Sequence, residues 1–250
     1  MRWDPPFYDW LSDFSTCGNA LVDLLNPLAG ERVLDVACRT GALTAAIAGR
    51  GATAKGVCGD PGKIDAARSS HPDAEFEVSN VFELATDEPY DAAFSYSAFH
   101  WLPRPEDALA SVRSVLRPSG RLVVDMGAAG SWAILIGGLA KAAAEHGLPE
   151  EVSLPWHFPS PAQQAALLES AGFRVRSMEV SDRSAPMVDC RGGAGDWWRT
   201  VGAPVLATFP PAQVDELLAE TTRITRPALT GSDGVWRADG KRLRFVAEAA

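Results

Sequence analysis

The stretch from Val33 to Ala48, VLDVACRTGALTAAIA, joins an apolar run to a turn and then to a run of small, helix-forming residues. Val33–Val36 carries only Asp35 as a polar residue, too apolar for a strand with one wet face, so it reads as a strand covered on both sides. Ala42–Ala48, entered through Gly41, reads as a helix. A buried strand followed by a helix leads the chain back to the start of a parallel neighbour. The alternation then repeats: strands are expected at Ala52–Cys58, Glu75–Val78, Tyr90–Ser95 and Arg121–Met126, the last after an RPSG turn, with helices at Pro61–Arg68 and Glu106–Leu116. The expectation is an α/β chain with a mostly parallel sheet and helices on both faces.

Before this core, residues 17–26 read as a helix closing on NPLAGER. After Ala129 the texture changes. An Ala-rich helix runs to about His146, a proline-punctuated loop leads into a helix ending at Gly172, and Phe173–Val180 returns as a strand. From Ser181 to Asp239 the alternation breaks, with RGGAGDWW expected as a loop and Ala212–Thr225 as a helix. Arg242–Ala247 then supplies a last strand. The expected organisation is N-terminal cap helices over 1–30, a core over 31–180, a mainly helical lid over 181–240 and a final sheet strand over 241–250. Such a lid belongs at the carboxyl edge of the sheet, where open α/β folds bind ligands.

Composition narrows the function classes. A formal net charge of −9 and a pI near 5.0 disfavour nucleic acid as a partner, because phosphate recognition needs concentrated positive charge. No run of eighteen apolar residues points to a membrane, and MRWDPPFYDW lacks the basic-then-apolar pattern of a signal peptide, so a soluble cytoplasmic protein is expected. Cys17, Cys38, Cys58 and Cys190 show no metal-ligand spacing, and no metal is expected. Eight tryptophans are many for this length. Their clustering near the N-terminus (Trp3, Trp10) and in the second half (Trp132, Trp156, Trp197, Trp198, Trp236) hints at an aromatic-walled pocket.

The ordered series WDPPFYD, LLNPLAGERVLDVACRTGALT, YDAAFSYSAFHWLPRPEDALASVRSVLRPSGRLVV, PWHFPSPAQQAALLESAGF and LRFVAEA spans nearly the whole chain. In it the chain resembles the class I S-adenosylmethionine-dependent methyltransferases, in the branch similar to trans-aconitate methyltransferase. The resemblance implies a Rossmann-like seven-stranded methyltransferase fold. It also implies a cofactor pocket at Asp35, Ala37, Arg39, Gly41, Cys58, Asp60, Asn80 and Val81. In the family's turn, D-x-G-C-G-T-G or D-x-A-C-G-T-G, glycines let the backbone pass beneath the cofactor and the next helix points free amides at it. Asp35, Cys38, Thr40 and Gly41 keep their places and Ala37 is a common variant. Arg39 replaces the glycine nearest the cofactor, setting a cation against a sulfonium. Cys58 stands where an Asp or Glu normally accepts both ribose hydroxyls, with Asp60 two residues on. Asn80 replaces the acid beside the adenine amine, where it can still accept one hydrogen bond.

Losing a charged acceptor to the ribose should cost about 1.5–3 kcal/mol, roughly ten- to a hundredfold in affinity. Arg39 could swing out to Asp35 or Asp60 and leave a usable site. The main expectation is an enzyme that has left S-adenosylmethionine behind, with no cofactor. It would use an aromatic cavity to cyclise a large apolar, polyketide-type substrate by holding its termini together, as in a pericyclic ring closure in natural-product biosynthesis. The alternatives are a working methyltransferase on a small molecule, using S-adenosylmethionine if the ancestral site remains usable, and an inert binding or scaffold homologue. His100, after the fourth strand, is the candidate catalytic residue, as general base or hydrogen-bond donor. Tyr8, Trp10, Phe14, Trp101, Trp132, Trp197 and Trp198 are candidate substrate contacts. Lys241, Arg242 and Arg244 read as solvated strand-edge charges. Nothing in the sequence sets the oligomeric state.

Overall fold

The computed structural model describes residues 17–187 and 189–250; Tyr8, Trp10 and Phe14 lie outside them. Helix α1 (Asn19–Leu25) is followed by β1 (Arg32–Val36), α2 (Ala42–Ala48), β2 (Thr53–Cys58), α3 (Pro61–Ser70), β3 (Glu75–Val78), β4 (Tyr90–Tyr96), α4 (Pro105–Val115) and β5 (Leu116–Gly127). These elements match the expected alternation to within a few residues, except that β5 pairs from Leu116 onward. The RPSG turn is present as a kink inside the strand, with Ser119 at φ 61° and a register shift opposite Tyr90 and Ala92. Then come α5 (Ala133–Glu145), α6 (Pro161–Ser170), β6 (Phe173–Asp182), β7 (Ala185–Pro186), α7 (Ala194–Thr200), α8 (Ala203–Leu206), α9 (Val214–Leu229), β8 (Arg237–Ala238) and β9 (Lys241–Ala249).

Among the described residues the main sheet has seven strands in the order β3–β2–β1–β4–β5–β9–β6. β1 runs parallel to β2 and β4, β2 to β3, and β4 to β5. The chain therefore moves outward from β1 to β3 and crosses back to β4, which puts the topological switch between the carboxyl ends of β1 and β4. Alternate residues of the strands feed two cores. Leu34, Val36, Leu122 and Val124 pack with Leu109, Val112 and Phe245, while Val33, Phe94 and Val123 pack with Leu21, Leu25 and Ile47. Both faces are covered, as the unbroken apolar run at 33–36 requires.

The chain forms two compact units. Of the described residues, one holds 17–128, 157–180 and 243–250, with the sheet and helices α1–α4 and α6. The other takes, of the described residues, 129–156 and 181–242. Residues 129–156, drawn on sequence into the core, cluster instead with the 181–242 region, while 17–30 and 243–250, drawn as separate pieces, cluster with the sheet. The reason for the first is α5, whose buried Leu135, Leu139 and Ala142 pack on α9, which buries Leu217, Leu218 and Thr221. No helix among the described residues is long and apolar enough to cross a membrane.

Two expectations are corrected. RGGAGDWW is not a loop throughout: Ala194–Trp198 begin α7. Gly192 donates its N–H to the Asp196 carboxylate at 2.6 Å, Gly195 donates to Thr222 Oγ1 of α9 at 2.9 Å, and burial of Trp197 and Trp198 overrides the glycines' reluctance. The basic residues of the last strand are not edge charges, because β9 lies between β5 and β6. Arg244 Nε reaches the buried Asp125 carboxylate at 3.2 Å and its Nη1 lies 3.6 Å from Glu179, while Lys241 pairs with Asp182.

Candidate functional site

The turn after β1 is built by backbone conformation. Ala37 (φ 60°), Arg39 (φ 58°) and Gly41 (φ 82°) are all left-handed, a region costly to most side chains. Gly41 has no alternative. A Cβ there would stand 2.4 Å from the Phe76 ring and 3.0 Å from the Ala67 methyl, so only glycine lets the chain turn into α2 against β3 and α3. Cys38 N–H donates to Val57 O at 3.0 Å, tying the turn to β2. Beneath it Asp35, 2 % exposed, accepts the Thr44 hydroxyl at 2.6 Å. Burial pushes its carboxyl up to about 7, with the Thr44 bond opposing that rise.

Arg39 is 6 % exposed, so a cation is enclosed at this turn. The two carboxylates proposed from sequence as its salt-bridge partners are otherwise engaged. Asp35 holds Thr44, and Asp60 Oδ1 caps α3 by accepting Gly62 N at 2.8 Å and Lys63 N at 3.3 Å. Asp60 Oδ2 takes no part in that cap. Cys58 ends β2 half-buried, with a free thiol. Asn80 Oδ1 accepts Phe82 N at 3.2 Å and caps the 3-10 turn Val81–Glu83, which leaves one lone pair beside Val81. Asp35, the left-handed turn, Asp60 Oδ2 and Asn80 thus suit S-adenosylmethionine in backbone form and acceptor placement. Arg39 and Cys58 weaken that fit. Among the described residues no cluster of His, Cys, Asp and Glu could hold a metal.

His100 sits in a 3-10 turn, Phe99–Trp101, just beyond β4 and 1 % exposed. Its Nδ1 accepts the Gly127 N–H at 3.2 Å, its carbonyl accepts His157 N–H at 2.8 Å, and Phe158 stacks on its ring at 5.7 Å. Gly127 is required here as well, since a Cβ would come within 2.5 Å of Phe158. With Nδ1 engaged as an acceptor, the neutral ring carries its proton on Nε2. Of the two roles expected for His100, hydrogen-bond donor agrees with this tautomer. Trp101 is half-buried beside it at 5.4 Å. The switch point thus brings Asp35, Arg39 and Cys58 to one side and His100 to the other.

The remaining predicted contacts lie in the other unit. Trp132, Trp197 and Trp198 pack with Trp156 as a cluster, with ring centroids 4.8 Å apart for Trp132–Trp156, 4.9 Å for Trp132–Trp197 and 5.1 Å for Trp197–Trp198, all edge-on. Trp197 and Trp198 are wholly buried, so these rings serve as the core of that unit. Trp132 is left-handed, φ 56°, and its N–H is held by Asp239 O at 2.6 Å. Sequence reasoning passed over His157 and the Asp125–Arg244 pair. The one sequence signal for His157 was a second histidine between aromatics in PWHFPS.

Comparison with known proteins agrees with this geometry. Residues 34–124 match the family model described as a methyltransferase domain. An uncharacterized methyltransferase of Schizosaccharomyces pombe is 29 % identical over 240 residues, covering 91 % of this chain and 90 % of that protein. The trans-aconitate 2-methyltransferase of Methylobacterium nodulans is 28 % identical over 216 residues, covering 82 % and 74 %. Among solved structures, the 4+2 cyclase SpnF superposes with a TM-score of 0.56 at 17 % identity, over 98 % of this chain and 84 % of that one, a likeness of fold alone. The switch-point turn, the strand order and these relatives point one way: over residues 34–124 the chain matches a methyltransferase domain, and its fold is similar to that of the class I S-adenosylmethionine-dependent methyltransferases.

Proposed function

We propose that this protein is an S-adenosylmethionine-dependent methyltransferase acting on a small molecule in the cytoplasm, with a donor site weakened relative to its relatives. This reverses the order of the two leading expectations drawn from the sequence. The observation that carries it is the turn at 37–41, which keeps its left-handed backbone even where alanine and arginine make that costly. Asp35, the turn amides, Asp60 Oδ2 and Asn80 would hold the donor, which supplies the methyl group when bound. His100 would orient the acceptor from the other side of the switch point by donating from Nε2.

A second reading is favoured by a different observation. An enclosed Arg39 together with Cys58 in the ribose position fits a protein that has given up the donor and cyclises an apolar, polyketide-type substrate without a cofactor. Calorimetry with S-adenosylmethionine and with S-adenosylhomocysteine decides between them. Binding of both in the micromolar to submillimolar range is expected. No heat at millimolar ligand would sink the methyltransferase reading and leave the cofactor-free one.

A further inference from the structure

We propose that Cys38 and Cys58 are a redox pair that hydrogen peroxide closes to a disulfide across the switch-point turn, a modification that weakens the donor site beside it. The pairing stands on backbone geometry. Cys38 N–H donates at 3.0 Å to the carbonyl of Val57, the residue before Cys58. One hydrogen bond and the covalent links on either side of it hold the two Cα atoms about 5–7 Å apart, within the span a disulfide bridges. Both side chains also lie on one face of the sheet. Those of β2 alternate, so Cys58 shares the face of Gly56, which pairs with Asp35. In an unbroken strand Cys38 would point away from that face, but the left-handed Ala37 breaks the alternation, and a Cβ at Gly56 would stand 2.9 Å from Cys38 Cβ. Cys38, Ile64, Ala67 and Phe76 form an apolar cluster there, with Cys58 packed against it.

The two thiols differ in access, which sets their order of reaction. Cys58 is half-buried, within reach of a small oxidant, and Cys38 is 7 % exposed. Burial, with the Asp35 and Cys58 charges adding to it, pushes the Cys38 thiol well above the usual cysteine range. Cys58 therefore reacts first: its sulfur attacks peroxide, the O–O bond breaks, and a sulfenic acid forms with release of water. The Cys38 sulfur then displaces the hydroxyl. Its S–H bond and the S–O bond break, the S–S bond forms, and the hydroxyl leaves with the Cys38 proton as a second water. Two electrons pass from the thiols to the peroxide, and a dithiol reductant returns them. The bridge draws the Cys58 sulfur towards Cys38 and ties down the peptide that carries Arg39. Only the resulting loss of donor affinity rests on the methyltransferase reading.

The test is a peptide map of the intact protein after peroxide treatment, digested without reductant and read by mass spectrometry. A Cys38–Cys58 linked peptide that dithiothreitol reverses is expected, and its loss in Cys58→Ser. In Cys38→Ser, Cys58 should accumulate as sulfenic and sulfinic acid. In the unaltered protein, Cys58 joined to a second chain, or oxidised to sulfinic acid while Cys38 stays a thiol, overturns the proposal. S-adenosylhomocysteine affinity is expected to fall about tenfold or more on oxidation, to recover on reduction, and to ignore peroxide in Cys58→Ser. Linked protein with unchanged affinity overturns the effect on the site. If the ligand binds neither form, the donor reading fails and the peptide map still judges the pair.

Discussion

Arg39 and Cys58 weaken the donor site by different physics, and the two ligand forms separate them. S-adenosylmethionine carries a sulfonium charge; S-adenosylhomocysteine has the same ribose and adenine with a neutral sulfur. Cys58→Asp restores a charged acceptor to the ribose. That interaction is worth about 1.5–3 kcal/mol, and on the proposed donor reading Asp60 Oδ2 would supply part of it, because the helix cap uses Oδ1. The gain should sit near the lower figure, about tenfold, and be equal for both ligands. Arg39→Gly removes an enclosed cation, 6 % exposed. At an effective dielectric of about 20, like charges about 8–15 Å apart repel by about 1–2 kcal/mol, so the gain expected for the sulfonium is roughly five- to thirtyfold in affinity. That gain should fall on S-adenosylmethionine and largely spare S-adenosylhomocysteine. Calorimetry on the unaltered protein, the two single variants and the double variant, with both ligands, gives every quantity needed. Equal gains for the two ligands in Arg39→Gly would refute the electrostatic argument and leave only bulk. No gain for either ligand in Cys58→Asp would show that Cys58 does not face the ribose.

Three further outcomes follow from the same geometry. Asp35 titrates in the folded protein well above its unfolded range, so the folded state holds a proton that the unfolded chain has released; stability should fall as pH rises from about 4 to about 7, by up to ~1.4 kcal/mol per unit. Asp35→Asn should therefore raise the urea midpoint increasingly towards about pH 8 and make little difference near pH 4, and a flat difference would contradict the assignment. Gly41→Ala should cost about 2–5 kcal/mol, from a left-handed alanine at φ 82° plus a Cβ pressed to 2.4 Å from the Phe76 ring; loss of less than about 1 kcal/mol in urea unfolding would show that β3 yields easily. Arg244→Met removes the guanidinium from the buried Asp125 carboxylate and should cost about 1–3 kcal/mol, at the lower end because Arg244 is 27 % exposed; adding Asp125→Leu should recover part of it, and additive losses would argue against the pair.

How far the sequence could be read depended on the range of the interaction involved. The parallel strands were legible because an apolar run buried on both faces looks the same whatever packs on it: Leu34 and Val33 enter opposite cores, yet both simply read as apolar. Gly41 was legible through its place in a motif, although the reason, the Phe76 ring, lies far along the chain. The start of α7 was not legible, because Gly192, Gly193 and Gly195 speak against a helix and the bonds that override them come from Asp196 and from Thr222 on α9. Arg244 was misread for a related reason. Only the strand order shows that β9 is interior, and only there does its guanidinium meet Asp125. The two-residue strands β7 and β8 carry too few residues to form a pattern.

The turn at 37–41 separates what identifies the family from what sets its chemistry. Its shape is imposed from outside: Phe76 and Ala67 allow only glycine at 41, and the Cys38–Val57 bond fixes the approach from β2. Within that frame residue 39 is left-handed, even carrying an arginine. Arginine there costs about 1–2 kcal/mol in backbone strain, but glycine costs about 0.5–1 kcal/mol in extra unfolded-state freedom, so the backbone nearly fails to choose between them. The side chain must decide, and enclosing a guanidinium to 6 % exposure is the larger energy. A substitution that leaves the frame intact while changing the charge inside it alters which ligand is welcome without altering the fold. The left-handed turn is therefore strong evidence of ancestry and weak evidence of affinity, and Arg39 is the residue through which the two come apart.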